Sequence, residues 1–273
     1  MKTIFTLLTF LLAAAGFTAC KKSNSDISKP PDKPGDDTIV VIPPPAPTFL
    51  ARIQQGTDAD LSKDTVYKLT WKDAKRISLL VDSIRNDTLV ATYDDTGKLT
   101  AITDKGTSPD NAIFTYDADH LLTQITYTNA TSTQQYVFAY VNGVINKKSY
   151  YTATGAAALK LNSYFTYTVA DSNITEIKAY TSTGIQVAVA TLTYGTQPNP
   201  FTNLCLFNYR KRLNMDDIAP FEAYFNKNIV TSLSTFGVTA TLNNTFDSVQ
   251  QLGRIVADDK INQKLYTWQF FYQ

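Results

Sequence analysis

The sequence predicts an all-β protein: an antiparallel meander of hairpins forming a strongly curved sheet or open barrel, with one short helix near 216–227. Three observations carry this. Sixteen Tyr and 15 Phe in 273 residues, together with abundant Thr, suit a pleated, half-buried surface. Glutamate occurs only as Glu176 and Glu222; the other acids are Asp, which competes for local backbone donors and favours turns. The third is a recurring unit of a tyrosine, a polar turn and an alternating strand.

The unit is clearest in TYDDTGKLTAITD (Thr92–Asp104) and returns in FTYDADHLLTQITY, FAYVNGVINKKSYY, FTYTVADSNITEIKAY and LTYGTQPNP. Its aromatic residues are Tyr93, Tyr116, Tyr140, Tyr167 and Tyr194, spaced 23, 24, 27 and 27 residues, with Trp71 a further 22 residues upstream. A period in the twenties marks a repeat architecture. Period-two alternation around Thr100, Ile102, Ile125 and Ile177 makes each unit two strands. The turn sequences Asp-Thr-Gly, Asp-Ala-Asp, Asn-Gly and Asp-Ser-Asn accept tight reversals. The tyrosines are expected to stack across neighbouring strands as packing residues, and Asp94 and Asp95 to be turn residues rather than acid–base groups.

One segment breaks the pattern. In MDDIAPFEAYFNKN, Asp216 or Asp217 can cap a helix, Pro220 fits a first turn, and Ile218, Phe221 and Phe225 share one helical face. The helix is expected to pack on the sheet or plug its open end. The preceding YRKRL (Tyr209–Leu213) reads as a solvated loop or protected edge. At the C-terminus, Tyr266, Trp268, Phe270 and Tyr272 alternate onto one strand face. This resembles the closing strand of an outer-membrane barrel, although a core-facing strand is the favoured reading.

The first residues set an address. Lys2 precedes an apolar run from Ile4 to Phe17 and then Thr18-Ala19-Cys20, the layout of a signal peptide spanning 1–19. The end of this run resembles the lipobox of bacterial lipoproteins, with Phe17 where that pattern prefers Leu. The resemblance implies acylation of Cys20 and, with Lys21 following, an outer-membrane destination; surface and periplasmic faces stay equally open. Residues 20–47 are rich in Pro, Lys, Ser and Asp and read as a disordered tether. A single β-rich domain, 48–273, follows. The other cysteine, Cys205, lies in the apolar LCLF and reads as a buried, inert thiol.

The hairpins resemble YD repeats, the tyrosine–aspartate units of Rhs-type wrapping sheets. More broadly, residues 48–273 resemble a domain-of-unknown-function family of Bacteroidetes lipoproteins with a porin-like fold. The shared features are these units, QPNPF (Gln197–Phe201) and FNKNIVTSL (Phe225–Leu233). The resemblance implies a curved antiparallel sheet in the cell envelope and no particular activity.

Motifs for chemistry are sparse. Twenty-five basic and 24 acidic residues leave no field to recruit nucleic acid. The single histidine, His120, falls in a hairpin turn away from any ligand cluster. Asp58, Asp60, Ser62 and Asp64 alternate as in a calcium loop, but Lys63 and Leu69 stand where glycine and the bidentate glutamate belong. No phosphate loop, metal set or cofactor motif is expected, and no catalytic residue is assigned. Asp followed by Ser or Thr and an aliphatic residue resembles the O-glycosylation signal of exported Bacteroidetes proteins, giving Thr38, Thr65, Ser83, Thr88 and Ser248 as candidate acceptors. The expected role is a non-enzymatic, membrane-tethered binding or scaffolding module for a glycan or an envelope protein. An integral outer-membrane barrel is the alternative, and an Asp-based hydrolase the third reading.

Overall fold

The computed structural model describes residues 49–56, 65–83, 86–106, 109–208, 218, 220–236, 238–259 and 264–273. The expected signal peptide, Cys20, the tether and Thr38, the calcium-like Asp58–Asp64 stretch, the proposed helix cap and the YRKRL cluster lie outside them. Sixteen antiparallel strands close into a barrel in which each strand pairs with its neighbours in sequence. They are β1 (Leu50–Gly56), β2 (Thr65–Asp73), β3 (Arg76–Asp82), β4 (Asp87–Tyr93), β5 (Leu99–Asp104), β6 (Asn111–Tyr116), β7 (Leu122–Thr128) and β8 (Ser132–Val141). The second half comprises β9 (Val144–Thr154), β10 (Lys160–Ala170), β11 (Asn173–Thr181), β12 (Gln186–Pro198), β13 (Asn228–Thr235), β14 (Val238–Phe246), β15 (Leu252–Asp259) and β16 (Lys264–Tyr272). The expected curved or open sheet is thus a closed ring: β1 pairs β16, and Phe49 and Gln273 exchange backbone hydrogen bonds of 2.9 and 3.0 Å.

Alternation along the strands sorts inside from outside. Tyr67 and Leu69, Leu89, Ala112 and Phe114, Ile125 and Tyr127, and Trp268 and Phe270 are buried. The intervening Lys68, Thr70 and Lys72, Thr191 and Thr193, and Thr241, Asn243 and Thr245 face solvent. The core-facing reading of the last strand therefore holds for Trp268 and Phe270.

At one rim the even-numbered strands end and the odd-numbered strands begin. There the aromatic residue closing an even strand donates to the backbone carbonyl of the first or second residue of the odd strand before it. Trp71 Nε1 donates to Leu50 O at 2.7 Å, Tyr93 to Ile77 O at 2.8 Å and Tyr116 to Leu99 O at 3.1 Å. Tyr140 donates to Leu122 O at 2.7 Å, Tyr194 to Ile174 O at 2.5 Å and Tyr272 to Leu252 O at 3.1 Å. The tyrosines are more than packing residues, because each hydroxyl ties its even strand to the preceding odd strand at the rim. A register shift accompanies the aromatic at Tyr93, Tyr116 and Tyr140, which turns the chain into its loop. Burial raises the phenol pKa of Tyr93 and Tyr272, each to about 12, and also raises those of Tyr116, Tyr140 and Tyr194, so all remain donors at neutral pH.

Two units depart from the rule. In β14 the position is Phe246, which has no hydroxyl; Asn244 Nδ2 instead donates to Val230 O at 3.0 Å. In β10 the equivalent position is Val169, which faces Ile174 across the turn as Tyr140 faces Ile145. Tyr167, placed in the rim series by its spacing, lies two residues earlier on the strand. Its hydroxyl donates at 3.2 Å to Glu222 instead.

The aspartate turns are built alike. Asp94, Asp117 and Asp247 accept through Oδ1 from the backbone N–H groups of Lys98, Leu121 and Gln251 at 2.9, 2.8 and 2.9 Å. The fourth residue of each turn adopts positive φ: Gly97 at +87°, His120 at +69° and Gln250 at +63°. Asp94 and Asp117 therefore carry backbone geometry, as expected of turn residues.

The rim bonds predict a graded effect. Tyr116→Phe removes one buried hydrogen bond and should cost about 1 kcal/mol in urea unfolding, with the far-UV spectrum unchanged.

Candidate functional site

The connection between β12 and β13 enters the barrel as a plug. Its described parts are a single α-helical turn, α1 (Thr202–Cys205), a 3₁₀ turn at Leu206–Asn208, Ile218 and a second 3₁₀ turn at Phe221–Phe225. The expected helix near 216–227 is thus a shorter 3₁₀ turn. Pro220 precedes it in extended conformation with no side-chain cap, and an additional helical turn lies at 202–205, which holds Cys205 of the apolar LCLF run. Phe201, Leu204, Cys205, Phe207, Ile218 and Phe221 are all buried. Phe201 packs on Phe270 of β16 at 5.3 Å, and Phe221 on Phe138 of β8 at 5.5 Å. Those strands stand eight apart in the ring of sixteen, so the plug bridges opposite walls. The Cys205 thiol is fully buried and its pKa is pushed well up, first by burial and then by the Glu222 charge.

Asparagines latch the plug where it enters. Asn199 Oδ1 accepts from Phe201 N–H at 2.9 Å, and its Nδ2 donates to Ala223 O at 2.7 Å. Asn226 Oδ1 accepts from Ile174 N–H at 2.9 Å. Asn173 and Asn228 bond reciprocally: Asn173 Nδ2 donates to Asn228 Oδ1 at 3.1 Å, and Asn228 N–H to Asn173 Oδ1 at 2.8 Å. The QPNPF and FNKN stretches hold this latch.

One charge pair lies inside. Lys148 of β9 meets Glu222 of the plug, with side chains only 7% and 16% exposed. The Lys148 ammonium also lies over the rings of Phe165 at 4.8 Å, Tyr136 at 5.1 Å and Phe221 at 5.6 Å, a cation–π cage. Burial works to raise the Glu222 pKa. The Lys148 charge and the hydrogen bonds from Lys148 and Tyr167 outweigh it, leaving the carboxyl below its usual range. The residues are arranged as a structural clasp, with the carboxylate already accepting from its neighbours.

Beside the plug the rim opens into a cleft of about 400 Å³. Its floor is Leu122, Tyr140, Ile145, Val169, Tyr224 and Phe225; its mouth carries His120, Asp171 and Ser172. Asp171 and Ser172 both take positive φ, +51° and +61°, in the two-residue turn between β10 and β11. His120 lines this cleft while its ring contacts Lys98 of the neighbouring turn. The single histidine is therefore brought beside Tyr140, Val169 and Asp171, none of which sequence spacing joined to it.

The candidate acceptors are scattered. Ser83 and Ser248 lie exposed in turns, Thr88 is half-buried on β4, and Thr65 opens β2. Among the described residues no group of three or more His, Cys, Asp or Glu side chains could hold a metal ion.

The geometry defines a class: a sixteen-stranded up-and-down barrel with a plugged interior. The chain is similar to the RHS Repeat family over residues 93–132, the span from the end of β4 to the start of β8. It is also similar to a crystal structure of a porin-like protein from Bacteroides vulgatus ATCC 8482, with TM-score 0.52 and 8% identity over 82% of this chain and 99% of that one. A porin-like protein from Bacteroides uniformis ATCC 8492 matches with TM-score 0.42 and 15% identity over 82% and 98% of the two chains. No curated protein matches at the sequence level. The Bacteroides vulgatus likeness establishes the barrel fold.

The clasp gives a direct test. Lys148→Met leaves Glu222 buried without its partner and should cost about 3 kcal/mol in urea unfolding. Adding Glu222→Leu should restore most of that loss, since an apolar pair needs no compensation. Because the folded Glu222 pKa lies below the unfolded value, the pair's contribution is present above the ordinary glutamate range and lost as pH falls through the folded pKa.

Proposed function

We propose that the protein is a lipid-anchored, non-catalytic binding or scaffolding barrel of the cell envelope. Acylated Cys20 tethers it to the outer membrane, and a glycan or an envelope protein is its partner. On this reading it belongs among the porin-like-fold Bacteroidetes lipoproteins that its repeats and its QPNPF and FNKN stretches resemble. The observation that carries the reading is the polarity of the wall. A barrel embedded in a bilayer needs an outward apolar band about 25 Å tall, flanked by aromatic girdles. Here Lys68, Thr70, Lys72, Thr191, Thr193, Thr241, Asn243 and Thr245 face outward, while Trp268, Phe270 and Tyr67 face the core. The lumen, which in porins of this strand number carries water, holds the plug.

The non-catalytic part of the reading rests on what the acids do. Asp94, Asp117 and Asp247 accept backbone N–H groups in turns, and Glu222 accepts from Lys148 and Tyr167. These are structural tasks rather than those of a hydrolase's paired carboxylates. Ser83 and Ser248, exposed in turns, are the candidate acceptors best placed for O-glycosylation. Native protein should show a mass above that of the acylated polypeptide; equality would end that part of the proposal.

Membrane attachment is tested by carbonate extraction. Wild-type protein should stay with the membrane pellet, and Cys20→Ala should be released as a soluble species. Retention of the Cys20→Ala protein would favour the embedded barrel.

A further inference from the structure

The cleft lies where the rim pattern is broken. In six units a Trp or Tyr ring closes the even strand and donates to a carbonyl of the preceding odd strand. Applied to β10, the same rule puts an aromatic ring at position 169 with its donor on the carbonyl of Ile145. Val169 stands there instead, half-buried, with no donor and only three carbons beyond Cα. Val169 and Ile145 both line the cleft, together with Tyr140 of the preceding unit. The next aromatic on β10, Tyr167, is held by Glu222 and does not fill the space. The cleft is therefore the vacated seat of a tyrosine, with the aromatic plug residues Tyr224 and Phe225 as a further wall.

We propose that this seat binds a small molecule carrying a phenol ring. The ring takes the place of the missing tyrosine side chain, and its hydroxyl donates to the Ile145 carbonyl as Tyr140 donates to Leu122 O at 2.7 Å. A carbonyl oxygen has two lone pairs, so it can accept this bond while serving the strand ladder. A flat ring with one polar tip suits a floor of Leu122, Ile145, Val169 and Phe225. His120, Asp171 and Ser172 line the mouth of the same cleft. The cleft, at about 400 Å³, has the size of a small-molecule site. The proposal rests on the binding-module reading and gives it a ligand class.

The test uses the full chain and p-cresol as probe, followed by titration calorimetry. p-Cresol should bind saturably at one site, and toluene, which lacks the hydroxyl, at least about tenfold more weakly. Val169→Tyr should refill the seat, abolish p-cresol binding and raise the thermal midpoint. Val169→Phe, which fills the space without a donor, should also abolish binding and serves if the tyrosine variant fails to fold. In wild-type protein, p-cresol should shift the methyl resonances of Val169 and Ile145. The proposal is overturned by no p-cresol binding, by equal binding of toluene, by unaltered binding in a folded position-169 variant, or by methyl shifts elsewhere only. None of these outcomes bears on carbonate extraction, so loss of the phenol site and loss of the tethered-barrel reading are separately visible.

Discussion

Sixteen strands enclose more space than the inward side chains of a single wall can fill, and an apolar lining around an empty lumen would forfeit the contacts that make burial favourable. The protein meets this constraint with its own chain. The plug carries Phe201 to Phe270 on one wall and Phe221 to Phe138 on the opposite one. Its entry is fixed by Asn173, Asn199, Asn226 and Asn228, and its depth by the clasp of Lys148 with Glu222. Without the plug, Ile77 and Leu80, both fully buried, would lose their place in one continuous core.

The rim aromatics solve a different problem. A meander of short hairpins has only local pairings to hold each turn, and tight turns leave carbonyls near the edge in need of donors. A tyrosine at the end of an even strand supplies a donor, a large apolar ring and a reach to the preceding odd strand. The chain repeats the device with local substitutes, using Trp71 at the first unit and Asn244 beside Phe246. Only at Val169 is the ring absent without another side chain taking its place in the pattern.

The repeat, its aspartate turns and the all-β class were legible because they are local: each hairpin closes within about 25 residues, and its alternation and turn residues lie side by side. Ring closure was not legible, since β1 and β16 meet only after the whole chain has turned. Tyr167 was misplaced because spacing alone does not count residues within the turn. Aligning VADSNI with YVNGVI puts Val169, not Tyr167, at the rim. Phe246 and Tyr272 escaped the series because the plug interrupts the period. Lys148 and Glu222 are 74 residues apart, with no sequence pattern to join them. The cleft was invisible for a related reason: it arises from a residue that fails to repeat, and it needs the plug as its far wall.

The closed ring also decides which rim receives the two ends of the barrel. Phe49 pairs with Gln273 at the rim where Trp71 reaches Leu50 and Tyr272 reaches Leu252. The chain therefore joins the barrel at the same end as the cleft, beside the plug's entry. The N-terminal segment thus reaches the barrel at the rim that carries the cleft. The start of the ring at Phe49, its end at Gln273 and the mouth at His120 and Asp171 therefore share one rim, and the opposite rim carries none of them.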